Sequence, residues 1–514
     1  MKQKLLLSLF VLFTSTIAWA DVEINEENFP DENFRNFLLE QEYGSDGILT
    51  DTEIADVSSI SVEGKNIQSL KGVEFFTALE ELDCRKNQLT ALDVTKNTAL
   101  TLLGCSGNQL TSLDVSQNTA LTSLGCSTNQ LTSLDVTKNT ALEKLICWEN
   151  LLTALDVSKN TALEYLDCGY NQLTSLDVSK NTELISFFCD NNQLPAIDVS
   201  KNSVLEILYC NDNQLTSLDV TKNAALTKLR CEYNLLTALD VSKNTALEYL
   251  DCVDNQLTAL DVSKNTALEF LYCYENLLMS LDVSKNTALT ELVCWGNQLT
   301  TLDVSKNTAL DFLMCGENQL TTLDVSQNTA LTVLGCSGSQ LAALDVSKNT
   351  ALEVLFCSKN QLTSLDVSKN PALNCLYCYQ NQINGEKMDA LIESLPQLTE
   401  DGEFYVIYYE NEQNAMTTTQ VAAAKAKGWP PYSCTGLDNE GLEVWVEYEG
   451  STSVEGISER PANSSRSSLT EWFTLDGRKY EMSGRKMGGP SSITRHSSLP
   501  KGIYIHNGRK VLIK

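Results

Sequence analysis

The sequence predicts a solenoid, a coil of short parallel strands with one strand per turn, and three observations carry that expectation. Fifteen of the seventeen cysteines recur at a fixed interval of 21 residues, from Cys84, Cys105 and Cys126 through to Cys357 and Cys378, without insertion or deletion. Apolar residues recur in phase with them, as Leu163, Leu166, Leu173, Leu176 and Val178 do around Cys168. No single copy carries enough apolar surface to bury a core alone, so successive copies must stack.

Within one copy, Leu166 and Cys168 alternate with Tyr165, Asp167 and Gly169. This period of two predicts a short strand with the first pair inward and the second set outward. Asn171 stands where the chain must turn, and a buried amide there can satisfy backbone groups of its own and neighbouring turns. Leu173, Leu176 and Val178 then refill the interior, and Ser179-Lys180-Asn181 turns the chain again. One copy departs: Ser339 replaces the turn asparagine, so that turn should be less firmly tied.

The wording L-x-x-L-x-C-x-x-N-x-L resembles the leucine-rich repeat, and the 21-residue length with a cysteine ladder resembles the internalin-type bacterial repeats. The resemblance implies a right-handed leucine-rich repeat solenoid with a parallel sheet on its concave side. With its ends included, the expected class is α+β: fifteen repeats over residues 77–383, a helical N-terminal cap and first turn over 21–76, an α/β C-terminal cap over 384–450, a linker over 451–470 and a small β tail over 471–514. The ladder itself reads as structure. Stacked turns hold parallel side chains about 4.8 Å apart, a poor geometry for bridging sulfurs, so reduced core cysteines behaving as small hydrophobes are expected.

Residues 1–20 read as a signal peptide: Lys2 and Lys4, an apolar run from Leu5, then Ala18-Trp19-Ala20. No other stretch approaches the length of a membrane helix, so a secreted or surface-displayed protein without a transmembrane segment is expected. Formal net charge is −30, and −32 without Lys2 and Lys4, which excludes nucleic acid as a natural partner and favours basic or neutral ones. Part of the acid is periodic: Asp93, Asp114, Asp135 and their successors to Asp366 should form one turn-capping column.

In the N-terminal cap, Asp31 is placed to cap a short helix bearing Phe34, Phe37 and Leu38. The stretch from Tyr43 to Glu53 resembles a calcium loop, but Glu42 and Gly44 occupy its first and third ligand positions. A structural remnant is therefore expected, with no metal and no cofactor. Ile60, Val62, Ile67, Leu70 and Val73 read as a first turn without cysteine.

The fixed framework makes the changeable positions legible: three and one before each cysteine, and one and two after it. Early copies are small there (Gly104, Ser106, Gly107, Ser123, Gly125, Ser127). Middle copies are aromatic and acidic. The expected binding face comprises Trp148, Tyr165, Asp167, Tyr170, Phe188, Tyr209, Asp212, Arg230, Tyr233, Tyr249, Asp251, Phe270, Tyr272, Tyr274, Trp295 and Phe312. Contiguous exposed tyrosine and tryptophan suit recognition of a protein partner by a monomer, and the resemblance implies the same use of this face. A glycan is the alternative ligand, since rings stack on sugars and carboxylates bond hydroxyls. Catalysis is not expected: the two histidines, His496 and His506, lie in the tail, so no Ser-His-Asp or Cys-His pair can form on the repeats.

Past Ile383 the rhythm stops. Met388, Leu391, Ile392 and Leu395 predict a helix ended by Pro396, Phe404–Tyr408 a strand, and Val421–Ala424 a second helix closed by Gly428. Whether Cys375 pairs with Cys434 is open at this point. A hairpin turning at Asn507-Gly508 ends the chain. That segment resembles the C-terminal sorting segments of bacterial type IX secretion, with 481–498 as an insertion relative to the pattern.

Overall fold

A computed structural model describes residues 21–437 and 442–452, together with four short strands in the tail. The signal peptide (1–20), the linker beyond residue 452 and most of the sorting-like segment lie outside the described residues. The chain divides into two compact units, Met1–Leu281 and Asp282–Lys514. Each is a parallel β-solenoid in its repeat region.

The first unit opens with strand β1 (Val22–Glu23) and helix α1 (Glu32–Glu40). Asp31 caps the helix: its Oδ1 accepts the Phe34 N–H at 3.0 Å, and its Oδ2 accepts the N–H groups of Gln68 and Ser69. One carboxylate thus ties the cap to the first turn. Strand β2 (Ile48–Leu49) pairs antiparallel with β1. Helix α2 (Asp51–Asp56) follows, closed by a reciprocal box in which the Glu53 carboxylate accepts from Thr50. The Asp46 Oδ1 accepts the Ile48 N–H. Asp46 and Glu53 of the calcium-like loop therefore hold turns together. Strand β3 (Ser59–Ser61) is the cysteine-free first turn and pairs with β4 (Glu81–Asp83). From there a three-residue strand recurs every 21 residues to β13 (Phe270–Tyr272), each in register with the last.

The interior is built by the recurring letters. All fifteen ladder cysteines are fully buried and reduced, and burial holds thiols such as those of Cys168 and Cys210 well above the usual range. The turn asparagine does what its position demands. Asn171 donates to the carbonyls of Cys168 and of Cys147 one turn earlier, at 3.1 and 3.0 Å, while its Oδ1 accepts the Leu152 N–H. A second asparagine column, unrecognised in the sequence as interior, is buried still deeper. Asn181 is fully buried and donates to Val157 and Asn160 of the preceding turn. At Ser339 the hydroxyl is buried and reaches no partner. On the outside, each column aspartate accepts the N–H two residues on, as Asp177 does from Ser179 at 2.8 Å, and that bond helps hold the Asp177 carboxyl below the ordinary range.

In the second unit a three-residue strand again recurs every 21 residues, each in register with the last, from β14 (Glu291–Val293) to β18 (Cys375–Tyr377). Helix α3 (Glu386–Ser394) buries Met388, Leu391 and Ile392 and ends before Pro396, as the spacing predicts. Strand β19 (Glu403–Ile407) adds in parallel to β18, and helix α4 (Thr418–Ala426) leads to β20 (Pro431–Leu437), which pairs antiparallel with β21 (Glu443–Glu447). Asn414 in the cap imitates a ladder rung, donating to Cys378 and Val406 and accepting from Ile383. Cys375 and Cys434 are both free: Cys375 lies beside Glu403, and Cys434 packs with Tyr379 and Tyr408. In the tail, Gly502–His506 pairs antiparallel with Arg509–Ile513 on either side of Asn507-Gly508. Among the described residues no helix is long and apolar enough to cross a membrane.

Candidate functional site: the outward strand face

The strands are shorter than their outward positions suggest. Each covers only the three residues before the cysteine. The residue two after it is held in left-handed backbone in all fifteen repeats, with φ between 45° and 69°. Glycine fills that position three times (Gly107, Gly296, Gly338); the other twelve are side chains such as Thr128, Glu149, Tyr170, Tyr233 and Asp254. This conformation costs an L-residue roughly 1 kcal/mol. The sequence alone placed these residues on a strand; they line its edge instead, because the chain must turn there to begin the next leg.

In the first unit the rings gather on one face. Tyr165, Phe188 and Tyr209 sit on successive strands in contact, with centroids 5.3 and 5.0 Å apart. Trp148 meets Tyr170 edge-on at 6.4 Å. Tyr249 contacts Phe270 and Tyr272. Lys144 lies over the Tyr165 ring and Arg230 over the Tyr209 ring, at 5.0 and 5.3 Å. Tyr170 is exposed. Trp148, Tyr165, Asp167, Phe188, Tyr209, Asp212, Arg230, Tyr233, Tyr249, Phe270 and Tyr274 are half-buried.

Three of the expected face residues are not open to solvent. Asp251, Tyr272 and Phe312 are 5%, 4% and 7% exposed. Turns stacked about 4.8 Å apart bring large neighbours over one another, so a ring flanked by bulky side chains is covered by them. Trp295 and Phe312 belong to the second unit.

Charge is concentrated where the rings meet. Arg230 forms an ion pair with Glu232, whose side chain is 2% exposed. Burial, followed by the neighbouring Asp251 carboxylate, pushes Glu232 well above the ordinary carboxylate range against the pull of Arg230. Its Oε2 has no hydrogen-bond partner, and neither has the buried Oδ1 of the adjacent Asn211. Asp167 is pushed up to about 6, chiefly by burial and partly by Asp190. Neither Glu232 nor Asn211 was singled out from the sequence; their place one residue after a cysteine was the available signal.

Comparison with known proteins gives this arrangement its relatives. No protein-family model and no curated protein match the chain. Among solved structures, it is similar to the functional domain of InlJ from Listeria monocytogenes, which includes a cysteine ladder. Identity is 34% over 76% of this chain and 82% of that one, with a TM-score of 0.65. The chain belongs to the internalin-type leucine-rich repeat family. This internalin-type protein also shares its fold with a leucine-rich repeat protein of Leptospira interrogans, at 22% identity over 67% of this chain and 95% of that one, TM-score 0.54. A plant peptide hormone receptor, RGFR1, in complex with RGF2, is similar at 22% identity over 64% of this chain and 62% of that one, TM-score 0.52.

The internalin-type protein carries a second aromatic group that its sequence did not announce. Phe356, Tyr377, Tyr405 and Tyr432 run across four neighbouring strands of the second unit, with centroids 4.9, 4.0 and 5.3 Å apart. Trp445 of β21 packs edge-on against Tyr405. The first two rings keep the 21-residue register; the others come from the cap, outside any repeat.

Proposed function

We propose that this internalin-type protein is an exported recognition protein, displayed or secreted as a monomer, that adheres to a protein partner through the outward strand face of its first unit. Stacked repeats are scaffolds for extended binding surfaces, and the family is one of such scaffolds. The observation that carries the reading is the left-handed edge. Glycine fills it without strain in three turns, yet twelve turns keep side chains there at a cost in stability, among them Tyr170 and Tyr233. Some of them are tied within the fold, as Lys86 is to Glu63 and Thr128 to Glu149, but rings kept at Tyr170 and Tyr233 against the backbone's preference fit work outside it. Aromatic residues with flanking charge are the types that dominate protein interfaces. The rings turn edges and tilted faces to one another, which leaves fewer free faces for stacking on a sugar and favours protein over glycan.

The test is capture of partners on the full chain, beside a glycan array, with Trp148→Ala, Tyr170→Ala and Tyr233→Ala combined as the comparison. A protein retained by the parent and lost by the variant supports the reading. Retention by both, or binding only to glycans, overturns it.

A further inference from the structure

We infer that the edge of the face between Asp212 and Met279 takes a basic amphipathic segment of the protein partner. This deepens the function proposed above and rests on it.

Four residues after each cysteine the chain places glutamine twelve times in fifteen, and leucine at Leu151, Leu235 and Leu277. The backbone does not ask for the change: the Gln256 N–H bonds to Leu236 O as the Leu235 and Leu277 N–H groups bond to Leu215 O and Leu257 O, at 2.8 to 2.9 Å. The leucines gain no burial either, with Leu235 45% and Leu277 43% exposed. Two residues past Leu277, Met279 stands where most copies have threonine and is 63% exposed. Leu235 and Leu277 lie two turns apart in one column, about 10 Å, with Gln256 on the turn between them, so they and Met279 make an apolar strip broken by one amide.

The strip is bordered by acid. On the turns it spans, the left-handed position is held by Tyr233, Asp254 and Glu275, and on the turn before by Asp212. Three residues before Leu235 in the chain is Glu232, almost wholly buried, with an oxygen that has no hydrogen-bond partner; the Asn211 carbonyl oxygen is likewise unpartnered, against one unpartnered donor, the Arg230 Nε. Arg230 is one cation facing both Glu232 and Asp251. Acceptors in excess, adjoining exposed leucine and methionine, fit a segment that alternates lysine or arginine with apolar side chains. A second copy of the chain is the wrong occupant, since each copy carries a net charge of −30.

The probes are a synthetic amphipathic lysine–leucine peptide, its glutamate-for-lysine counterpart and the chain's own residues 471–514, titrated against the full protein by fluorescence anisotropy at physiological salt. The lysine peptide should bind and the glutamate peptide should not. The variant Leu235→Gln, Leu277→Gln, Met279→Thr restores the repeat's own wording, so it should keep the parent melting temperature while weakening the lysine peptide by about tenfold or more. Glu232→Gln should weaken it comparably, and Glu386→Gln, an acid outside the site, by less than about twofold. Unchanged binding after the wording is restored, equal losses from Glu232→Gln and Glu386→Gln, or tighter binding of 471–514 than of the lysine peptide would each overturn the inference. A captured partner lost on replacing Trp148, Tyr170 and Tyr233 but kept by the restored variant would sink this inference and leave the proposed function standing.

Discussion

The outward strand residues of the two units share one register and treat water differently. In the first unit the strand ends carry Tyr165, Asp167, Phe188, Tyr209 and Arg230, all half-buried and interleaved with charge. In the second, Val293, Phe312, Met314, Val333 and Val354 occupy equivalent places and are each less than 8% exposed. The repeat's interior is nearly identical in both, so the backbone does not cause the difference. Gly335 shows how the second face closes: a Cβ there would come within 2.3 Å of the Met314 sulfur, which lies across the glycine. One scaffold thus supports a self-packed apolar layer between Val293 and Val354 and a more open, charged, aromatic surface between Tyr165 and Arg230. Outward position alone does not make a binding surface; the side chains decide whether the face spends itself on the fold.

The contrast can be broken most strongly by truncation. Phe312→Ala should cost about 3–4 kcal/mol, because it opens a cavity in a sealed layer. Tyr165→Ala should cost about 1 kcal/mol, since it loses cross-strand contacts with solvent on one side. Urea midpoints of the two variants measure the gap, and equal losses would erase the distinction between the faces. Ser339→Asn should act in the opposite direction. It restores an amide where a hydroxyl is buried without a partner, and should raise stability by about 1–2 kcal/mol in the same titration.

Much of this was legible beforehand because the repeat is its own alignment. The ladder, the turn asparagine, the aspartate column, the Asp31 cap and the helix ending at Pro396 each follow from local rules about turns, caps and period. Three things did not. The second asparagine column looked like an ordinary surface turn, because nothing in Ser179-Lys180-Asn181 shows that the amide folds inward onto the preceding turn. The burial of Asp251, Tyr272 and Phe312 depends on the bulk of their neighbours, which period-two reasoning ignores. Tyr405, Tyr432 and Trp445 reach the face from the cap, where no register predicts who stands beside whom.

Acidity should separate the surfaces more gently. Asp167 has a folded-state pKa of about 6, raised by burial, against about 3.9 for an unfolded aspartate. Its charge therefore opposes folding above pH ~6, and that penalty fades as pH falls toward ~4. The column aspartates are shifted the other way, so what they contribute is present above about pH 4 and lost below it. Stability of the first unit should rise modestly, on the order of 1 kcal/mol, between pH ~6 and ~4 before falling. Hydrogen exchange of the Leu166 and Leu208 amides would follow it, and Asp167→Asn should flatten the rise.

The account turns on whether the open face keeps side chains that the fold does not want. Tyr170→Gly with Tyr233→Gly relieves left-handed strain at two turns, and differential scanning calorimetry beside a partner-binding titration reads both consequences. A melting temperature that rises, by about 1 kcal/mol of stability per site at most, while binding falls is the predicted result. A melting temperature that falls while binding is unchanged would mean that these rings serve the fold, and would contradict the account.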